Sequence, residues 1–128
     1  LGGCSIIGFG LCNGANLSGL NLEGASLSMA ALDSANLSNS YLRKAALKLA
    51  GMANANLSKA YLGSANLSGA NLTYADLTGA DLEGAMFGEA NLMGANLEGA
   101  NLHGANFSLA RWFNGRKCGV RSVGFCRQ

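Results

Sequence analysis

The sequence predicts an all-β solenoid, a chain of short straight sides joined by tight corners in which each coil stacks on the one before. Three observations predict it. A five-residue word recurs from residue 15 to residue 114 with no insertion. Proline is absent from all 128 residues, while glycine occurs 19 times. Each word also sets a small and a large apolar residue two positions apart, the spacing that puts side chains on one face of an extended segment.

The words come first, because an overlooked repeat misassigns a whole fold. Stepping by five from Leu17 reaches Leu22, Leu27, Leu32 and so on to Phe107 and Trp112, and every centre is large and apolar. Ala stands two before the centre in eighteen of twenty words, the exceptions being Leu20 and Ser40. Asn or Asp stands one before it in twelve of twenty. A helix turns about 100° per residue, so residues five apart would scatter around its surface. In an extended side, by contrast, Ala and Leu point inward together and the residue between them points out.

The two residues after each centre make the corner. Gly at the second of them (Gly19, Gly24, Gly69, Gly79, Gly84, Gly94, Gly99, Gly104) supplies the positive φ of a type II turn. From Met29 to Ser64 eight consecutive words lack that Gly, so looser or different turns are expected there. If each corner is a right angle, four words close a square and the chain returns above its start after twenty residues. The core then contains vertical files: Leu17, Leu37, Leu57, Leu77 and Leu97 in one, Leu27, Leu47, Leu67, Phe87 and Phe107 in another. Tyr41 and Tyr61 share an outward slot twenty apart and should stack, as should Phe87 and Phe107. Coils joined by axial hydrogen bonds cannot spare backbone N–H groups, which accounts for the missing proline.

The words "ANLSG", "ADLTG", "ADLEG" and "ANLEG" resemble the A(D/N)LXX signature of the pentapeptide-repeat proteins, over residues 15–114. The resemblance implies a right-handed quadrilateral parallel β-helix. One hundred residues make five coils, and at about 4.8 Å per coil the shaft is about 24 Å long. The expected organisation is an N-terminal cap at 1–14, the repeat shaft at 15–114 and a C-terminal cap at 115–128, with Trp112 and Phe113 available to lid the last coil. Caps are needed because solenoid ends expose strand edges.

All four cysteines lie in the ends, in "CSIIGFGLC" (4–12) and "CGVRSVGFC" (118–126), each pair with seven residues between. A shaft of this length keeps the two ends too far apart for a bridge between them. Cys4–Cys12 and Cys118–Cys126 remain as disulfides, each closing a loop worth about 2.6 kcal/mol in the chain-entropy model. Reduced thiols are the alternative. Zinc fits poorly, because pairs at opposite ends cannot share one ion. The start "LGGC" resembles a lipobox, which would make Cys4 a lipid attachment point. The chain begins with Leu rather than Met, consistent with a removed upstream segment. Disulfides point to an oxidising compartment, a periplasm or thylakoid lumen, and reduced thiols to the cytoplasm. The resemblance points the same way, since such proteins abound in cyanobacteria and chloroplast lumens.

Little catalytic chemistry is visible. His103, the only histidine, takes an outward corner slot. Asp76, Asp81, Glu83, Glu89 and Glu98 form an acidic stretch without a cation-binding loop pattern. The serines sit in corners without a histidine partner, and no phosphate-cradling GxxxxGK[ST] run occurs. Asn-Leu-Ser at Asn16, Asn36, Asn56 and Asn66 spells a glycosylation sequon as a by-product of the repeat. No apolar run is long enough to span a membrane. No cofactor, metal or small-molecule substrate is expected.

Charge is informative by position. Arg43, Lys44, Lys48 and Lys59 make a basic middle, and the acidic stretch follows. The last eighteen residues hold Arg111, Arg116, Lys117, Arg121 and Arg127 with no acid. The reading is a non-enzymatic structural or protein-interaction module whose C-terminal end meets an acidic partner or another copy. The alternative is the DNA mimicry by which some pentapeptide-repeat proteins occupy DNA gyrase. Mimicry needs a strongly acidic rod, whereas residues 1–110 carry seven acidic groups against four basic and the end adds five cations. A nucleic-acid partner is disfavoured by the small net charge of +2.

Overall fold

The structure, a computed structural model, describes Cys4 and residues 10–127. Residues 1–3 of the lipobox-like start and residues 5–9 of the expected N-terminal cap lie outside the described residues. No helix occurs among those described. From Leu11 pairing with Ala31 to Asn91 pairing with Arg111, the residue before each centre forms a parallel bridge with the residue twenty further on. The bridges fall into four columns, which define four faces. The first runs through Leu11, Ala31, Gly51, Asn71, Asn91 and Arg111. The second runs through Asn16, Asn36, Asn56, Asp76 and Asn96. Asn21, Tyr41, Tyr61, Asp81 and Asn101 mark the third, and Ser26, Ala46, Asn66, Met86 and Asn106 the fourth.

One word shows why five letters suffice. Asn56 N–H donates down to Ala35 O (2.9 Å), Leu57 N–H donates up to Asp76 O (2.7 Å), and Lys59 N–H donates up to Thr78 O (2.9 Å). Ala60 N–H closes the corner onto Leu57 O (3.0 Å). The remaining donor, Ser58 N–H, goes to the Asn56 side-chain oxygen at 3.0 Å. Every N–H of the word is satisfied, as buried backbone requires. The same cap joins Thr78 to Asp76 and Ser38 to Asn36. Asn or Asp is therefore an Asx-turn acceptor as well as an outward residue. On the first face Ala31 and Gly51 cannot cap. There the acceptor comes from the coil below, Asn13 Oδ1 for Asp33 N–H and Asp33 Oδ1 for Ala53 N–H, both at 2.9 Å.

The core is what the inward slots build. Leu17, Leu37, Leu57 and Leu77 are 0% exposed, as is Met52 in a centre of its own. Ser40 replaces Ala in an inward slot and stays buried because its hydroxyl donates to Leu37 O at 2.6 Å. Tyr41 and Tyr61 stack at 4.9 Å between ring centroids, and Phe87 and Phe107 do likewise at 4.9 Å.

Two expectations need correction. The ladder already includes residues 11–14, since Cys12 N–H donates to Ala31 O and Gly14 N–H to Asp33 O, with Cys12 filling a buried centre. Counting words from the first leucine centre hid this one, because cysteine stands in its place. The corners from Met29 to Ser64 are also not different. Met29, Ser34, Asn39, Lys44, Leu49, Asn54, Lys59 and Ser64 all hold φ between 57° and 63°, beside 66–73° at the glycine corners from Gly69 to Gly104. Axial bonds on both sides of each corner fix the left-handed conformation whichever residue occupies it. A side chain there costs about 1 kcal/mol relative to Gly. Lys44→Gly is therefore expected to raise the melting temperature by about 4 °C, as read by circular dichroism.

Candidate functional site

The acidic stretch is contiguous in sequence only. Asp76 and Glu98 belong to the second face, Asp81 and Glu83 to the third and Glu89 to the corner after the fourth, following the columns of the ladder. No cluster able to hold a metal ion forms among the described residues. His103 is exposed on the third face. The corner serines Ser18, Ser38 and Ser58 donate their hydroxyls to their own Asn caps at 2.7 Å.

The basic middle is likewise divided. Arg43 lies across Gly63, where an added Cβ would meet its guanidinium at 3.1 Å. It reaches two coils up to Asp81 at 3.7 Å, and Asn101 Nδ2 also donates to Asp81 (3.2 Å). This pair is largely solvated and adds little stability. It neutralises Arg43 and leaves Lys59, Lys44 and Lys48 at the corners after the second, third and fourth faces.

The C-terminal end keeps its cations together. Arg111, Arg116, Lys117, Arg121 and Arg127 are all exposed. Residues 112–116 make a tight hairpin, with Gly115 N–H donating to Trp112 O and Trp112 N–H to Arg116 O, and Arg111 holds Gly115 O at 2.9 Å. Lys117 then pairs antiparallel with Arg111, and Val123 with Asn106. Cys118 is buried, and its Cα lies 5.1 Å from that of Cys126; at the other end Cys4 and Cys12 are 4.9 Å apart. Both separations are within disulfide range. Trp112 packs edge-on against Phe107 at 4.8 Å and supports Phe113 at 5.4 Å.

Among the described residues this cap pairs only with the fourth and first faces. Over the second and third, Leu97 and Leu102 are only partly buried, although Leu77 and Leu82 directly below are 0% exposed. Leu97 thus ends its core file at a surface, which differs from its expected place in the core. Ala95, Asn96, Leu97, Glu98, Leu102, Trp112 and Phe113 line an open groove of about 430 Å³ there. Repeat periodicity places the inward slots, but it gives no signal for which faces a non-repetitive cap will cross.

A ladder of stacked five-residue sides, a core of inward leucines and alanines, and Asx-capped corners define a pentapeptide solenoid. The family model for pentapeptide repeats matches residues 12–48, 52–87 and 75–111, with eight copies, and the chain belongs to the pentapeptide-repeat family. No curated protein matches it significantly. Among solved structures, it is similar to HetL of the cyanobacterium Nostoc sp. PCC 7120, a pentapeptide repeat protein involved in heterocyst differentiation regulation. The two are 38% identical with a TM-score of 0.55 over 79% of this chain and 46% of HetL. The chain thus spans about half the length of that relative. It is also similar to a pentapeptide repeat protein of the Arabidopsis thaliana thylakoid lumen, at 32% identity and TM-score 0.52, covering 76% of this chain and 68% of the other.

Proposed function

We propose that the chain is a non-enzymatic protein-interaction module of an oxidising compartment, a periplasm or thylakoid lumen, which meets an acidic partner at its basic C-terminal end. The observation that carries this reading is the division of labour among its groups. Inward side chains fill the core and side-chain oxygens cap the corners, while the uncompensated charge gathers at one end. We further propose a right-handed shaft of about five coils, with the N-terminal cap ending before Leu11, a C-terminal cap near 115–128, and Cys4–Cys12 and Cys118–Cys126 oxidised. The cysteine separations support the oxidised state, and the similarity to a thylakoid-lumen protein supports the compartment.

Two measurements test this. Protein alkylated at once on extraction should take up no iodoacetamide until reduced. Reduction should then lower stability by about 2.6 kcal/mol per bridge. Affinity capture with the oxidised chain should retain an acidic protein whose retention weakens with salt. Free thiols in freshly extracted protein would move it to a reducing compartment. Inhibition of gyrase supercoiling at low concentration, with no acidic protein retained, would replace the reading by DNA mimicry.

A further inference from the structure

We infer that the uncovered half of the C-terminal end takes up an extended, acidic segment of a partner protein as the next rung of the ladder. The inference deepens the interaction-module reading and rests on it.

The ladder itself leaves the place open. One coil lower, Leu77 and Gly79 donate their N–H groups upward to Asn96 O and Glu98 O at 2.8 and 2.9 Å. Leu82 and Gly84 do the same to Asn101 O and His103 O, both at 2.9 Å. On the last level the equivalent donors are Leu97, Gly99, Leu102 and Gly104, and none of their N–H groups has an acceptor among the described residues. The cap bonds none of them, although at Gly124 it comes near Gly104, whose N would lie 4.0 Å from an added Cβ. Gly124 N–H donates to Ala105 O and Phe107 N–H to Ser122 O on the fourth face, and Cys118 N–H donates to Ala110 O on the first. A row of unpaired donors on an ordered strand edge is a template for strand addition.

The chemistry of the occupant follows from three features. Four donors in two ladder positions require carbonyls on one edge of an extended backbone, which a compact ligand cannot present. Partly buried Leu97 and Leu102, with Trp112 as a wall, require large apolar side chains five residues apart that continue the two core files. The charge of the adjoining cap favours acids in the outward slots. Arg116 is exposed and its carbonyl accepts from Trp112 N–H, next to the groove wall. Arg121 is exposed in the same cap, three residues before Gly124, whose Cβ would lie 3.7 Å from Leu102 O. Glu98 is the one charged side chain in the lining itself, and the cap beside it, residues 111–128, holds five cations and no acid. The same charge disfavours a second copy, because two such ends would bring ten cations together.

The test uses the isotope-labelled full chain and the peptide Ac-ADLDEADLDE-NH2. In the free chain the amides of Leu97, Gly99, Leu102 and Gly104 should exchange with solvent at least a hundredfold faster than those of Leu77, Gly79, Leu82 and Gly84. The peptide should slow those four by about tenfold or more at saturation, with shift changes confined to the C-terminal end. Its lysine counterpart Ac-AKLKKAKLKK-NH2 should not. Leu97→Glu, at a partly exposed site, should weaken binding by at least about tenfold while leaving the lower amides protected. Arg116→Glu with Arg121→Glu should weaken it and flatten its salt dependence.

Protection of the four amides in the dilute free chain would overturn the proposal. Protection that grows with protein concentration would assign the edge to a second copy. Equal binding of both peptides would remove the acidic preference and sink it, as would no binding at all. A cellular partner captured equally by wild type and Leu97→Glu would refute the edge while leaving the module reading standing. Peptide protection with no partner captured would uphold the edge and count against that reading.

Discussion

Leu77→Lys is expected to abolish cooperative folding. Leu77 is 0% exposed and sits in the file between Leu57 and Leu97, with Ala75 beside it at 1% exposure. The substitution removes an apolar side chain worth about 2–5 kcal/mol and leaves an ammonium group with no partner, at a further cost of several kcal/mol. The shaft is one cell wide, so the charge has no short path to water that keeps the coil closed. Together these losses match the whole stability of an ordinary domain, about 5–15 kcal/mol. The variant should show no thermal transition by circular dichroism and should elute as expanded or aggregated material. Leu77→Met should cost less than about 1.5 kcal/mol, since Met52 already fills a centre at 0% exposure.

Asn56→Pro has the next largest expected effect. It deletes the N–H bonded to Ala35 O at 2.9 Å, and with it the Asn side chain that accepts from Ser58 N–H and Ser58 Oγ. A proline inside a hydrogen-bonded ladder removes an axial bond that interior strands cannot spare, and the orphaned Ala35 carbonyl and Ser58 amide cost about 1–3 kcal/mol each. Asn56→Ala keeps the backbone bond and loses only the cap, so it should cost about 1 kcal/mol. Urea denaturation of the two variants separates the ladder from the cap. Equal losses would mean that the side-chain cap, rather than the axial bond, carries the word.

The inward half of this architecture was legible in the sequence because a five-residue period leaves few ways to bury one large and one small side chain per word. That is why the leucine files and the Tyr41–Tyr61 and Phe87–Phe107 stacks follow from numbering alone. The outward half was legible only in part. Asn56 reads as a solvent-facing residue until the Ser two positions on is recognised as the other half of an Asx turn, a signal repeated at Asn16, Asn36 and Asn66 and, with Thr73 in the Ser position, at Asn71. The substitute on the first face, Asp33 capping Ala53, links residues twenty apart and has no local signature. The corners from Met29 to Ser64 misled for a different reason: residue preference measures what a corner would choose, while the bonds around it decide what it adopts. The candidate site depended on the cap, where the repeat ends. The cations could be counted in the sequence, but the vacancy above Leu97 and Leu102 arises from where two antiparallel pairings land, and cysteine spacing does not encode that.

The central claim is that hydrogen bonds connect each word to the word one coil of twenty residues above. Scalar couplings across hydrogen bonds, between amide nitrogens and carbonyl carbons in solution, measure this directly. They should link Leu17 to Asn36, Leu37 to Asn56, Leu57 to Asp76 and Leu77 to Asn96. Couplings from these leucine amides to carbonyls a few residues away, or at offsets that vary from one word to the next, would contradict the stacked coil and everything built on it.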